Sequence, residues 1–584
     1  MGEKTLSIGE ATDQLTSAGG RFELSTALVR GQETKVWKYA PESLRVVLEA
    51  SLAHGDQDFL VYEDERITFT EHFRMAATFA HRLSAIGVVK GDRVAIVMRN
   101  LPEWIIAFWG AASLGAVVVP INAWWTGEEL TYGLNDSGAK VAVVDQERVE
   151  RLLPFCDQLT KLGHIIVASE DRSDSFQKEK FPAEKTFLSF ASFLGEVEND
   201  AVLPEVEIDP DDLATIFYTS GTTGRPKGAV GTHRNTCSNL MNLFFIGTRS
   251  TLRFGTGNTE NGESIQNSYL LSVPLFHATG CHAVLIVNTM AGGKLVMMHH
   301  FNPERALELI EREKITTFGG VPTMVMQVLD SPKFASTDIS SVRSVSYGGA
   351  PAPPDLVRRI TEAFPIGQPG NGYGMTETSA ATAMNTGPDY VARPDSVGTA
   401  VPVADVAIVP EDFDGLDPDP SRPIGPDVTG ELWIKGPHVV QGYWNRPKET
   451  EAVFTNGWVH TGDVARIDDE GFIYIVDRAK DMIIRGGENI YSVEVESALF
   501  EHQAISDCAV IGIPHEVLGE EVGVVLTLRS GCSVTAEELT RHVKERLAAY
   551  NVPTHFYFRD EPLPRNPAGK VLKRQLRDEV LATS

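Results

Sequence analysis

Residues 218–228 read Tyr218-Thr219-Ser220-Gly221-Thr222-Thr223-Gly224-Arg225-Pro226-Lys227-Gly228 and follow the apolar, strand-like run 213–217. The glycines let backbone N–H groups close on phosphate oxygens, Thr219, Ser220, Thr222 and Thr223 add hydroxyl donors, and Lys227 adds a compact positive charge. Such a loop suits the phosphate tail of a nucleotide. It is not a Walker A loop, because Pro226 stands where the second glycine belongs and Gly228 replaces the magnesium-binding hydroxyl. A P-loop ATPase is therefore disfavoured.

A phosphate cradle works only when a sheet holds it in place. Runs rich in Val, Ile and Ala predict strands at 94–98, 116–119, 140–144, 165–168, 213–217, 269–273, 316–318 and 342–346, with helices at 41–54 and 101–114. This alternation implies an α/β fold of large, mostly parallel sheets with helices outside. Three of the strands lead into small-residue loops: the hydroxyl loop, Pro274-Leu275-Phe276-His277-Ala278-Thr279-Gly280, and Tyr347-Gly348-Gly349-Ala350-Pro351. Ligands of open α/β sheets sit beyond the carboxyl ends of strands, so these loops are expected to converge on one cleft. Segments 170–185, 253–267 and 411–426 read as excursions without assigned function.

At 584 residues the chain exceeds one compact core, and a boundary is expected near residue 477, dividing residues 1–476 from 477–584. The net charge of −27 leaves no basic stripe for a nucleic acid, although local positive charge can still serve a small phosphorylated ligand. Cys156, Cys237, Cys281, Cys508 and Cys532 lack C-x-x-C spacing, which argues against zinc or a disulfide framework. The start of the chain has no apolar signal core, its end is not a Ser-Lys-Leu address, and no apolar run is long enough for a transmembrane segment. The expected location is cytoplasmic. A homo-oligomer is compatible with the sequence.

Taken in order, the 218–228 loop, Asn371-Gly372-Tyr373-Gly374-Met375-Thr376-Glu377, Gly430-Glu431-Leu432-Trp433-Ile434-Lys435-Gly436, Gly457-Trp458-Val459-His460-Thr461-Gly462-Asp463, Asp477-Arg478-Ala479-Lys480 and Pro567-Ala568-Gly569-Lys570 resemble the adenylate-forming superfamily. This superfamily holds acyl-CoA synthetases, firefly luciferases and peptide-synthetase adenylation domains; the resemblance runs from about residue 40 to the end. It implies a large N-terminal AMP-binding domain with an added β-subdomain, then a small mobile α+β C-terminal domain. It also implies a two-step reaction using ATP, Mg2+ and CoA. A carboxylate attacks the α-phosphorus of ATP to give acyl-AMP and pyrophosphate, and a thiol then displaces AMP. Positioning and charge neutralisation carry most of such a rate.

By resemblance, Thr376 contacts the phosphates and Glu377 holds magnesium, while Asp463 and Arg478 sit at the ribose. Gly349, Ala350 and Pro351 wall the adenine, with Tyr373 on its other face and Asn371, Gly372, Gly374 and Met375 completing that motif. Lys570 is the expected catalytic ammonium, bridging carboxylate and α-phosphate. Lys573 and Arg574 are expected at the solvated surface. Lys480 matches the family hinge, and Gly487 a glycine lining the pantetheine tunnel.

The residue type at 277 bears on the acid. Peptide-synthetase domains for α-amino acids resemble this stretch but carry an aspartate there to pair with the ammonium; His277 argues for an unaminated acid, with the histidine as a gate beside its carboxylate. Pocket walls are expected from Gly280, Cys281, Val284, Gly348 and residues 319–323 and 378–382, whose small or apolar character leaves room for an aliphatic or aryl chain. Only 14 residues follow Lys570, so no carrier domain is expected there and free CoA is the expected thiol. The alternatives are an acyl-AMP ligase loading a separate carrier protein, a luciferase-type oxidation, and a non-catalytic nucleotide-binding scaffold. The last would be expected to lose Lys570, Glu377 or Asp463. His515-Glu516-Val517-Leu518-Gly519 lacks the second histidine of H-E-x-x-H, and His299-His300 lacks further ligands at zinc spacing.

Overall fold

Every residue of the helix Pro102–Ser113 is buried. A helix apolar all round belongs between layers rather than on a surface, and Trp104, Phe108 and Trp109 fill the largest core cluster around it. The computed structural model describes residues 5–169, 185–219, 225–255, 259–260, 263–350, 352, 354–410, 413, 415–420, 428–486, 488–566 and 569–583. The structural statements below concern those residues. Ser220, Gly221, Thr222, Thr223, Gly224, Pro351 and Gly487 lie outside them, as do most of the three expected excursions.

The first sheet has seven strands in the spatial order Lys227–Thr232, Leu213–Thr219, Val117–Pro120, Arg93–Val97, Val141–Asp145, His164–Ala168, Thr186–Ser189. All its ladders are parallel except the hairpin formed by Leu213–Thr219 and Lys227–Thr232. The second sheet has fourteen strands. One half is parallel, running from Gln368–Tyr373 through Ser344–Gly348, Thr317–Gly320, Ser268–Leu271 and Lys294–Met297 to Asp58–Tyr62. The other half continues from Gln368–Tyr373 as antiparallel strands that include Trp458–Ile467 and Phe472–Arg478. That antiparallel run is the expected β-subdomain, fused edge to edge with the parallel half.

Predicted and observed strands agree to within one or two residues, with an informative shift at 342–346. The strand runs Ser344–Gly348, taking in residues placed in the loop by sequence reading. Tyr347 and Gly348 pair with Asn371 and Gly372 of the neighbouring strand, so the loop begins only at Gly349.

The chain leaves the fourteen-stranded sheet at Arg478, which pairs with Asp463, and enters a five-stranded sheet at Ile483–Arg485. Helices Ser492–Phe500, Ala536–Lys544 and Lys573–Thr583 accompany this smaller sheet. Asp477, at the end of the large sheet, accepts hydrogen bonds from the backbone N–H of Ser492 and from its hydroxyl (2.9 Å). Lys573 donates to the same hydroxyl at 2.6 Å and pairs with Glu496 at 2.8 Å. Lys573 is therefore not the solvated lysine expected from sequence. It neutralises two buried carboxylates, Asp477 and Glu496, whose charge would otherwise be costly where water is excluded.

Candidate active site

Residues from the hairpin of the first sheet, from both halves of the second sheet and from one turn near the end of the chain meet at one place. The strand Leu213–Thr219 carries the start of the hydroxyl-rich segment, and its last residue pairs across the hairpin with Lys227. Segment 441–444 lies against this hairpin: Trp444 N–H donates to Gly228 O (2.7 Å), and Val230 N–H to Gly442 O (2.9 Å). The packing sets Tyr443 between two predicted site residues. The Lys227 ammonium lies 4.8 Å from the Tyr443 ring centroid, and the Tyr443 hydroxyl donates to Glu377 Oε1 at 2.6 Å. Sequence reasoning missed Tyr443; an aromatic inside Gly442-Tyr443-Trp444, following a Gly-Glu-Leu-Trp strand, was the available signal.

Glu377 lies on the short turn Thr376–Thr378, is 6% exposed, and is fixed at its backbone by Val440 N–H, which donates to its carbonyl at 2.9 Å. Its Oε2 has no partner among the described residues. No cluster of three or more His, Cys, Asp or Glu able to cage a metal occurs among the described residues. One free carboxylate oxygen, linked through Tyr443 to the Lys227 ammonium, fits magnesium, which is held by one or two carboxylates and otherwise by phosphate oxygens and water.

Strand Gln368–Tyr373 brings Asn371 and Gly372 beside Gly348 and directs Tyr373 to the antiparallel half. There the Tyr373 hydroxyl donates to Asp463 Oδ2 at 2.7 Å, and Arg478 Nε pairs with Asp463 Oδ1 at 2.9 Å. Asp463 is 5% exposed. Its carboxylate orients both the aromatic ring and the guanidinium, a cross-link not foreseen from the motifs.

His277 lies two residues before a wide π-helical turn, Thr279–Leu285. Its Nε2 is buried without a hydrogen-bond partner. Burial, then the nearby Lys570 ammonium, hold the imidazole down to about 4, so it is neutral at physiological pH.

Lys570 comes from the C-terminal sheet side, on a tight turn closed by the Arg565–Val571 bridge. Gly569 N–H donates to Asn566 O (2.8 Å), Lys570 N–H to Asn566 Oδ1 (2.9 Å), and Arg565 Nη1 to Gly569 O (2.6 Å) while its Nη2 reaches Asp507 (2.6 Å). The turn is docked on the large domain. A Cβ at Gly569, where φ is +75°, would lie 2.5 Å from Val321 Cγ2. Lys570 is within electrostatic reach of Arg478, Asp463 and Glu377, and burial with the like charge of Arg478 brings its ammonium down to about 8 against the opposing pull of the carboxylates. Lys480 sits exposed on the connection between the sheets.

The model of the AMP-binding enzyme family matches residues 48–444, and that of the AMP-binding enzyme C-terminal domain matches 494–570. The chain belongs to the AMP-binding enzymes. A long-chain-fatty-acid–CoA ligase of Bacillus subtilis (strain 168) is 34% identical over 558 residues, covering 92% of this chain and 94% of that protein. A feruloyl-CoA synthase of Amycolatopsis sp is 33% identical over 515 residues, 88% and 93% of the two chains. Among solved structures, o-succinylbenzoate CoA synthetase from Bacillus subtilis, in complex with its acyl-adenylate intermediate, superposes with TM-score 0.72 at 31% identity, over 92% of this chain and 98% of that one. The same synthetase with ATP and magnesium ion gives TM-score 0.72 at 31% identity, over 91% and 99%. As an AMP-binding enzyme, this chain is an AMP-forming acid–thiol ligase acting through acyl-AMP, with ATP and magnesium in the first step and CoA as co-substrate in the second.

Proposed function

We propose that the acid is a fatty acid of medium to long chain or an aryl acid, and that free CoA is the physiological thiol. The observation that carries the reading is the docking of the Lys570 turn on Val321, which brings its ammonium within electrostatic reach of His277, Glu377 and Asp463 and of Arg478, the last residue paired in the large sheet. A neutral His277 supports an unaminated acid, because it offers a hydrogen-bonding nitrogen to a carboxylate and no counter-charge to an α-ammonium.

In this reading Lys570 holds carboxylate and α-phosphate oxygens together as negative charge builds, acting as a preplaced donor in a site with little water. Magnesium, held by Glu377, would neutralise phosphate charge and ease departure of pyrophosphate. Thr376 and the 218–228 hydroxyl loop, with Lys227, bind the phosphates; Asp463 receives the ribose hydroxyls while Arg478 and Tyr373 keep it aimed. Gly349, Ala350 and Pro351 wall the adenine, with Tyr373 on its other face and Asn371, Gly372, Gly374 and Met375 completing that motif. After adenylate formation the part of the small domain beyond Lys480 turns about that residue and withdraws Lys570, and Gly487 serves as the glycine that leaves room for the pantetheine arm. A cytoplasmic location accords with this chemistry, and no helix among the described residues is long and apolar enough to cross a membrane.

The test is ATP–pyrophosphate exchange over a panel of fatty, aryl and amino acids, followed by mass analysis of products with CoA and with a holo carrier protein. Exchange with fatty or aryl acids and accumulation of the CoA thioester are expected. Exchange confined to amino acids, or transfer to the carrier protein alone, would overturn the assignment.

A further inference from the structure

The turn that presents Thr376 and Glu377 ends in two non-glycine residues with positive φ, Ser379 at 55° and Ala380 at 110°. An alanine at 110° lies outside the regions open to a residue with a Cβ, and such a conformation persists only where its surroundings over-determine it. Glycine at 374 is required by the same turn, since a Cβ there would collide with the Ala380 carbonyl.

The restraint comes from two other elements. His282 Nδ1 is 3.1 Å from the Ser379 carbonyl oxygen, which can only accept, so the ring donates and carries its proton on Nδ1. Its Nε2 is buried with no partner. Burial holds the ring at about 4, so the neutral, single-proton form prevails. On the long helix His233–Phe254, Asn239 Oδ1 accepts from Ala381 N–H at 2.8 Å, and Asn242 Nδ2 donates to Ala381 O at 3.2 Å.

His282 is the piece common to three parts of the site. It belongs to the π-helical turn that starts two residues after His277, a wide turn of a kind concentrated at functional sites. Its ring meets Phe217, on the strand leading to the phosphate loop, edge-on with centroids 4.9 Å apart. Its N–H ends on the turn that carries Glu377.

We propose that His282 is a positioning residue, which ties the acid-side π-turn to the Ser379 carbonyl and thereby holds the strained turn that aims Thr376 and Glu377. The proposal rests on the ligase reading above. It differs from a merely structural role because the bond acts on a strained backbone next to the reacting groups.

The experiment is a double-mutant cycle of His282→Ala and Ala380→Gly, with His282→Asn as the conservative variant, read by the kcat of pyrophosphate exchange, KM for acid and for ATP, and thermal melting. H282A is expected to lower kcat about 10²-fold, the scale of a small misplacement of reacting groups. KM for the acid should change far less, and H282N, which retains an N–H donor, should recover most of the loss. In the A380G background the cost of H282A should shrink to about tenfold or less, because glycine accepts positive φ without restraint. An unchanged cost in that background, or a fall in melting temperature with kcat intact, would overturn the proposal. His282→Phe, which fills the ring volume without the donor, replaces H282A in the cycle if the alanine variant does not fold. Wild-type exchange measured alongside separates the two readings: failure of the ligase reading appears in the wild type, failure of this one only in the variants.

Discussion

Gly569 and Val321 stand so close that a single methyl group on the glycine would lie 2.5 Å from Val321 Cγ2. One belongs to the turn bearing Lys570, the other to the loop before helix Pro322–Leu329, so their contact reports whether the small domain is in place for the first half-reaction. Gly569→Ala should slow pyrophosphate exchange by ~10–100-fold through displacement of Lys570, while thioester formation from supplied acyl-AMP continues. Val321→Ala in the same chain should recover part of the loss. Equal losses in both half-reactions would contradict the docking role.

Removing the ammonium itself should be more severe. Lys570→Ala is expected to reduce adenylate formation by ~10²–10³, about 2.7–4 kcal/mol, the scale of losing one preplaced transition-state donor. Single-turnover assays of each half-reaction check this, and the CoA step from preformed acyl-AMP should remain near wild type.

The ammonium of Lys570 is lowered from 10.5 to about 8 by burial and by Arg478. A lysine with a depressed value is charged below it and neutral above it, so a reaction needing the cation declines as pH rises through that value. The kcat/KM for ATP, which reports the free enzyme, should therefore fall above pH about 8. Lys570→Arg should move this limb to higher pH, since a guanidinium stays protonated. A limb unmoved by the substitution belongs to another group.

Tyr443 gives Glu377 one hydrogen bond at 2.6 Å. A bond to a charged carboxylate contributes ~1.5–3 kcal/mol, so Tyr443→Phe should leave the fold intact and raise the magnesium concentration for half-maximal exchange by ~10-fold or more. A magnesium titration at fixed ATP measures it; an unchanged midpoint would mean that Tyr443 does not orient the metal-binding oxygen.

The parallel strands were legible as short apolar runs, most of them rich in Val, Ile and Ala, and three of them lead into the small-residue loops expected at the cleft. The burial of helix Pro102–Ser113 follows equally from its lack of a polar face. The links between motifs were not legible. Tyr373 to Asp463 and Tyr443 to Glu377 span 90 and 66 residues, and no local pattern encodes a partner at that distance. Lys573 was misread for the same reason: its two carboxylates, Asp477 and Glu496, lie far back along the sequence, and an isolated lysine near a chain end looks solvated. The strain at Ala380 is invisible in a sequence, where alanine signals nothing but an ordinary backbone.

Between Arg478, the last residue paired in the large sheet, and Ile483, the first in the small one, the chain has only residues 479–482. Even drawn out fully, such a leash spans ~14 Å. The small sheet can pivot but cannot drift off, and the ammonium it carries stays at a high local concentration over the nucleotide cleft through every catalytic cycle. Slack inserted at this point would dilute that lysine without touching a single catalytic side chain.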